Sequence, residues 1–175
     1  MKNSTYIHKY IKPLIHNTDV VADMTVGNGN DALYLCSLAQ KVYGFDIQEE
    51  AINNTKDKTK DYTNLILIKD NHINIDKYIK EKIKLFIFNL GYLPNSESKI
   101  ITNKDDTLLA FIKAYDYLLD GGYIIITFYL GHQGGKDEYY LLDKYIRDSN
   151  LNIIDIYKEK KKINEPITYI IKKRP

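Results

Sequence analysis

The chain has 175 residues, 44% hydrophobic and 27% charged, and a formal net charge of +2 at pH 7. That balance excludes a disordered or fibrous chain, no apolar run reaches the length of a membrane span, and so weak a charge does not announce a nucleic-acid binder. The one cysteine, Cys36, excludes an internal disulfide framework and a cysteine-rich zinc site, so a reducing, cytoplasmic home without a signal peptide is expected.

The length suits one domain over residues 1–175. Thr5 to Ile15 carries Ile7, Tyr10, Ile11, Leu14 and Ile15 at helical spacing, which predicts an amphipathic helix, and His8 and His16 read as ordinary helix residues. Val20 to Met24 predicts the first strand. It leads through Asp23 into the turn Gly27-Asn28-Gly29, where glycine lets the backbone bend sharply. Asn30 to Leu38 reads as a helix that Asn30 or Asp31 can cap. Val42 to Asp46 is a second strand ending in a carboxylate, and Gln48 to Thr59 a polar surface helix.

Leu65 to Lys69 predicts a third strand ending at Asp70-Asn71-His72, and Ile73 to Lys80 a short helix. Leu85 to Phe88 is apolar throughout, as a strand covered on both faces should be, and ends at Asn89-Leu90-Gly91-Tyr92-Leu93-Pro94. A helix over Asp105 to Leu119 is stopped by Asp120-Gly121-Gly122. Strand five spans Tyr123 to Tyr129, a second glycine-rich loop Leu130 to Lys136, and a helix continues to about Ser149. Leu151 to Tyr157 and Ile167 to Ile171 form two last strands, with a hairpin across Lys160 to Pro166.

Alternating strands and helices predict an open, mostly parallel seven-stranded sheet with helices on both faces, whose ligands bind at the carboxyl ends of the strands. Asp23 to Asp31, Asp46 to Gln48, Asp70 to His72, Asn89 to Tyr92 and Tyr129 to Lys136 all fall at such ends. The first corner is ambiguous alone. Gly27-x-Gly29-x-x-Ala32 with Asp46 downstream also satisfies a dinucleotide fingerprint. An NAD-type oxidoreductase is disfavoured, because no substrate domain follows and the Asn89 loop would have no role.

With five polar strand ends in view, the chain resembles the class I S-adenosylmethionine-dependent methyltransferases, a Rossmann-like fold. Asp23-Met-Thr-Val-Gly-Asn-Gly-Asn-Asp31, Asn89-Leu-Gly-Tyr-Leu-Pro94 and Gly131-His-Gln-Gly-Gly-Lys-Asp-Glu138 resemble a small bacterial family once labelled rRNA methylases. Its activity is methylation of 5-(aminomethyl)-2-thiouridine in tRNA. The resemblance spans essentially the whole chain. It departs at Asp106, where a threonine is expected, and at Met24 and Val26, which replace smaller residues.

The resemblance implies S-adenosylmethionine as cofactor, S-adenosylhomocysteine as product, and the tRNA anticodon arm as partner. Oligomeric state stays open between monomer and homodimer. Asp23, Gly27, Asn28, Gly29, Asn30 and Asp31 would hold the amino-acid end of the cofactor. Asp46, with Gln48, would take the ribose, since a carboxylate accepts two hydroxyls; the alternative is a helix cap. Asp70, Asn71 and His72 would flank the adenine, His72 being equally a helix cap.

Asn89-Leu-Gly-Tyr92 resembles the Asn/Asp-Pro-Pro-Tyr loop of amino-methylating enzymes without its prolines, so Asn89 would orient the amine. Tyr92 would stack on a base or simply pack the loop. His132 would serve as base, hold RNA phosphate or shape its loop. Tyr129 and Lys136 would touch substrate, and Lys136 with the clusters Lys158, Lys160 to Lys162 and Lys172 to Arg174 would contact phosphates, unless the clusters are merely solvated faces. No metal-ligand spacing appears, so no metal is expected. Other readings keep the cofactor with rRNA or a small amine as acceptor, or make the chain a non-catalytic binding module.

Overall fold

The structure, a computed structural model, describes residues 1–91, 103–159 and 165–175. Helix α1 (Asn3–Ile11) precedes strand β1 (Val20–Asp23), α2 (Asn30–Cys36), β2 (Lys41–Asp46), α3 (Glu49–Lys58) and β3 (Leu65–Lys69). A 3-10 turn (His72–Asn74) leads into the single-turn α4 (Ile75–Tyr78) and then β4 (Ile83–Leu90). The series ends with α5 (Lys104–Tyr117), β5 (Leu118–Phe128), α6 (Gly135–Asp148), β6 (Ile153–Lys158) and β7 (Ile167–Lys172). The strands join in the order β3-β2-β1-β4-β5-β7-β6. Strands β1 to β5 run parallel, and β7 is antiparallel to both β5 and β6.

Side chains alternate between two cores, as the two-residue period of a strand requires. On one face Val21, Val42, Leu85, Ile87, Ile125 and Ile170 pack with Ile7 and Ile11 of α1 and Leu35 of α2. On the other, Ala22, Phe45, Phe86, Phe88, Ile124 and Ile126 pack with Phe111 of α5 and Leu142 and Ile146 of α6. The near-continuous apolar run of β4 is therefore explained by cover on both faces.

Two local expectations change. α5 ends at Tyr117, close to the expected limit, but Asp120-Gly121-Gly122 lies inside β5, which begins at Leu118, and is not the stop itself. The pair forms an irregularity: Gly121 has φ +72°, and the β4–β5 register shifts between Ile83 and Leu85. A Cβ on Gly122 would come within 2.9 Å of the Lys84 carbonyl oxygen, so glycine marks a close strand approach rather than a stop. Helix α2 is capped by neither Asn30 nor Asp31. Its cap is Gly29, at φ +76° and without a side-chain bond, which frees both polar side chains for other contacts. The expected hairpin is seen as antiparallel pairing of β6 with β7; Lys160 to Lys162 lie outside the described residues.

Candidate active site

The sheet order reverses between β1 and β4, and a cleft of about 600 Å³ opens there at the carboxyl ends of the strands. Of the residues singled out in the sequence, Gly27, Asn28, Asn30, Asp31, Asp46, Gln48, Asp70, Asn71, His72, Asn89, Tyr129 and His132 line it. Asp23, Gly29 and Lys136 do not. Tyr92 lies outside the described residues.

Asp23 is fully buried beneath the turn: its Oδ1 accepts from the Thr25 N–H at 3.1 Å, and its Oδ2 finds no partner among the described residues. Burial, reinforced by the negative Asp31, pushes its carboxyl well above the usual carboxylate range. Gly29 serves packing, since a Cβ there would lie 2.8 Å from the Thr55 Cα on α3. Lys136 is exposed on the first turn of α6.

Asp46 ends β2 and holds the glycine-rich turn. Its Oδ2 accepts from the Gly27 N–H and its Oδ1 from the Gln48 N–H, each at 3.0 Å. Burial raises its carboxyl, and the backbone N–H groups of Gln48 and Gly27 oppose that rise. The Ile47 N–H bonds the same carboxylate, so three backbone donors leave one of its roughly four lone-pair sites. Asn28 Oδ1 accepts from Asn54, and Asn30 Oδ1 from Lys58 at 2.6 Å, so α3 braces the turn.

Beyond β3, Asp70 would be raised by its partial burial, but hydrogen bonds from Tyr78, Asn74 and the Asn71 N–H outweigh that and hold it below its ordinary value. The cap of the 3-10 turn is Asn71, not His72: Asn71 Oδ1 accepts from the Ile73 N–H. His72 is instead buried against Phe88, with Nδ1 3.1 Å from the Met24 carbonyl oxygen. Burial pushes its pKa down, leaving a neutral ring at pH 7.

At the end of β4, Asn89 is held twice. Its backbone N–H donates to Thr25 Oγ1 at 2.7 Å, and its Nδ2 donates to Asp31 Oδ2 at 2.7 Å. The amide is thereby oriented, with Oδ1 as its acceptor atom. The other Asp31 oxygen lies 2.7 Å from Nε2 of His8. His8 is thus no ordinary helix residue; its ring also stacks on Tyr34 at 4.0 Å. Across the cleft, burial lowers the pKa of His132, partly offset by a hydrogen bond to the Tyr129 backbone. Gly135 makes room for it, since a Cβ would lie 2.4 Å from the Tyr129 carbonyl oxygen and 2.9 Å from the His132 ring.

The cleft also takes in Asn3, Ser4 and Ile7 of α1, Thr25, Asn103 and Asp106. Asp106, the departure noted in the sequence, accepts from Asn71 Nδ2 at 2.7 Å. The basic clusters separate. Lys158 pairs with Ile167, which also faces Phe128 at the carboxyl end of β5, so it lies on the outer strand at the same end of the sheet as the cleft. Lys172 pairs with Tyr123, five residues back along the strand, roughly 17 Å away. That cluster is therefore removed from the cleft: its lysines serve the far edge, where Lys173 donates to the Tyr115 and Leu118 carbonyls.

A seven-stranded sheet in this order, with β7 reversed and a polar cleft at the switch point, is the class I methyltransferase fold. Residues 42–172 match the model of the family described as "Putative rRNA methylase", and the chain belongs to that family. It is similar to the chloroplastic tRNA (mnm(5)s(2)U34)-methyltransferase of Arabidopsis thaliana, 32% identical in an alignment 162 positions long that covers 82% of this chain and 58% of the plant protein. The chain therefore spans little more than half the length of that curated relative. Among solved structures, a "putative rRNA-methylase" from Clostridium thermocellum is 38% identical with a TM-score of 0.90, covering 99% of this chain and 98% of that one. A "putative methyltransferase" from Streptococcus mutans, solved in complex with S-adenosylhomocysteine, is 32% identical with a TM-score of 0.88 over 99% and 98% of the two chains.

Proposed function

We propose that this chain is an RNA methyltransferase that uses S-adenosylmethionine to methylate the amine of 5-aminomethyl-(2-thio)uridine at the tRNA wobble position, giving 5-methylaminomethyl-2-thiouridine. The observation that carries this reading is the fixed amide of Asn89, facing the cleft across from a neutral His132. The complex of the Streptococcus mutans relative supports the cofactor, and the name of the plant relative supports the acceptor.

The cleft residues fit that cofactor. Its volume of about 600 Å³ lies within the range of small-molecule sites. The remaining lone pair of Asp46 suits a ribose hydroxyl. Asn28, Asn30 and Asp31 combine amides with a carboxylate, which suits a zwitterionic amino-acid end better than a bare N–H nest would. Asp70, Asn71 and His72 stand at the adenine end, where Asp106 adds a second carboxylate.

When bound, S-adenosylmethionine supplies an electrophilic methyl group on a sulfonium. The acceptor amine must reach it neutral, although a free alkylamine has a pKa near ~10. His132 is unprotonated at pH 7 and takes the amine's proton. Asn89 Oδ1 accepts one amine hydrogen and so aims the nitrogen lone pair in line with the methyl. Tyr129 walls the site. Tyr92 stacks on the splayed base, while Lys136 and Lys158 hold phosphates and leave sequence unread.

The test is methyl transfer from labelled S-adenosylmethionine to bulk tRNA from cells lacking this protein, followed by nucleoside mass analysis. Methyl on aminomethyl-thiouridine, lowered about 100-fold by Asn89→Ala, is the expected result. Methyl on rRNA or a small amine, or cofactor binding without turnover on any RNA, would replace the tRNA reading.

A further inference from the structure

The role given to Asn89 depends on a side chain that must not rotate, and nothing at the end of β4 alone prevents it. Its Nδ2 rests on one oxygen of Asp31. A carboxylate held by one oxygen still swings about its own bond. The second oxygen is held from another element altogether: His8 Nε2 on α1 lies 2.7 Å from Asp31 Oδ1. The acceptor is a carboxylate, so Nε2 carries the proton that is donated.

His8 is itself immobilised. Its ring stacks on Tyr34 at 4.0 Å with an interplanar angle of 8°, and the Tyr34 hydroxyl donates to the His8 carbonyl at 3.1 Å. On either side of it, Asn3 and Ile11 are buried, so α1 is anchored at both ends. Packing alone does not call for an imidazole here; an aliphatic or aromatic ring would fill the space against Tyr34. What only a donor supplies is the second bond to Asp31.

We propose that His8 is a positioning residue, acting through a His8–Asp31–Asn89 chain that fixes the amide of Asn89 for the transfer step. The inference rests on the reading of Asn89 given above. Three secondary-structure elements, α1, α2 and β4, meet on one carboxylate. Orientation at the reacting centre is thus set by a helix that contributes no atom to the reaction. A misplacement of the order of 1 Å at such a site is enough to cost about 100-fold in rate.

Two measurements on the full chain test it. In ¹⁵N-labelled protein, the side-chain amide protons of Asn89 report the chain directly and without turnover. His8→Phe, which keeps a ring on Tyr34 but has no donor, should speed their exchange with solvent at least about tenfold, and His8→Gln should restore protection. On the accepting RNA, His8→Phe should lower kcat about 10- to 100-fold with KM for RNA little changed, while adding less than about twofold in an Asn89→Ala background. If Phe does not fold, His8→Met supplies the donorless variant. Unchanged amide exchange, or equal losses in the wild-type and Asn89→Ala backgrounds, would overturn the proposal. Should no RNA accept methyl, the tRNA reading fails, and the amide exchange still decides the role of His8.

Discussion

Replacing Asp46 with asparagine separates a turn residue from a ribose ligand, because the two roles draw on different lone pairs. In the structure both oxygens already accept from the backbone, Oδ2 from Gly27 in the turn and Oδ1 from Gln48 at the start of α3, at 3.0 Å each. The amide of asparagine keeps one acceptor and turns a donor towards the other N–H. One backbone donor is then unsatisfied, at about 1–3 kcal/mol of stability, or a few degrees in Tm for a chain of this size. If Asp46 also takes the ribose, a second and separate loss follows: one charge-assisted hydrogen bond, about 1.5–3 kcal/mol, together with displacement of the Gly27 turn. The upper end corresponds to about 100-fold in Kd. Titration calorimetry with S-adenosylhomocysteine, alongside thermal melts, reads both quantities. A Kd raised about 30-fold or more is expected. A Kd within about threefold of wild type, with Tm lowered, would refute the ribose assignment and leave Asp46 as a turn acceptor only.

Further outcomes are expected. Burial holds His132 below its ordinary pKa of about 6.5, so the acid limb of kcat/KM should fall below pH 6.5, where the protonated ring no longer accepts, and should vanish in His132→Ala. His72 is buried and lowered likewise. Above about pH 6.5 it is neutral in both folded and unfolded chains; below that the unfolded chain takes the proton first, so Tm should decline on acidification and less steeply in His72→Phe. Gly135→Ala forces a Cβ to within 2.4 Å of the Tyr129 carbonyl oxygen and should cost about 1–3 kcal/mol in denaturant unfolding while displacing His132 and lowering turnover. Asn3→Ala removes two buried hydrogen bonds, because Asn3 Nδ2 donates to Thr127 at 3.3 Å and Thr168 donates to Asn3 Oδ1 at 2.7 Å, and it leaves the two hydroxyls only each other, 2.8 Å apart. It should lower stability by about 1–3 kcal/mol in the same assay.

Much of this arrangement was legible because strand ends are punctuated by their own residues. Leu65 to Lys69 is a strand at the limits its apolar run marks, and Asp46 and Asn89 fall where each run breaks into polar residues. The errors have a common cause. Asp120-Gly121-Gly122 reads as a stop because glycine marks both helix ends and strand irregularities; the choice depends on Lys84, which a local window does not contain. His8 reads as an ordinary helix residue because its partner, Asp31, is 23 residues away on another helix. Asn3 and Asp106 carried no signal of a site, since one lies on an amphipathic helix and the other at the start of α5. Lys172 to Arg174 shows the converse: a charge cluster is visible in sequence, but only the β5–β7 register reveals which edge of the sheet it occupies.

The reversed strand has a consequence for the order of events during synthesis. β7 is made after the other six strands, yet it lies inside the sheet between β5 and β6 and is buried along nearly its whole length. Its Thr168 also supplies the hydroxyl that tethers Asn3, so the first helix has no finished surface to dock on until residues near 170 have left the ribosome. Pairings between the two ends of a chain form slowly, since the intervening loop must be closed first. The cleft, whose wall includes Asn3, Ser4 and Ile7, is therefore a late product of folding. A nascent chain carrying the first five strands would have its glycine-rich turn in place and still lack the surface on which the covering helix docks.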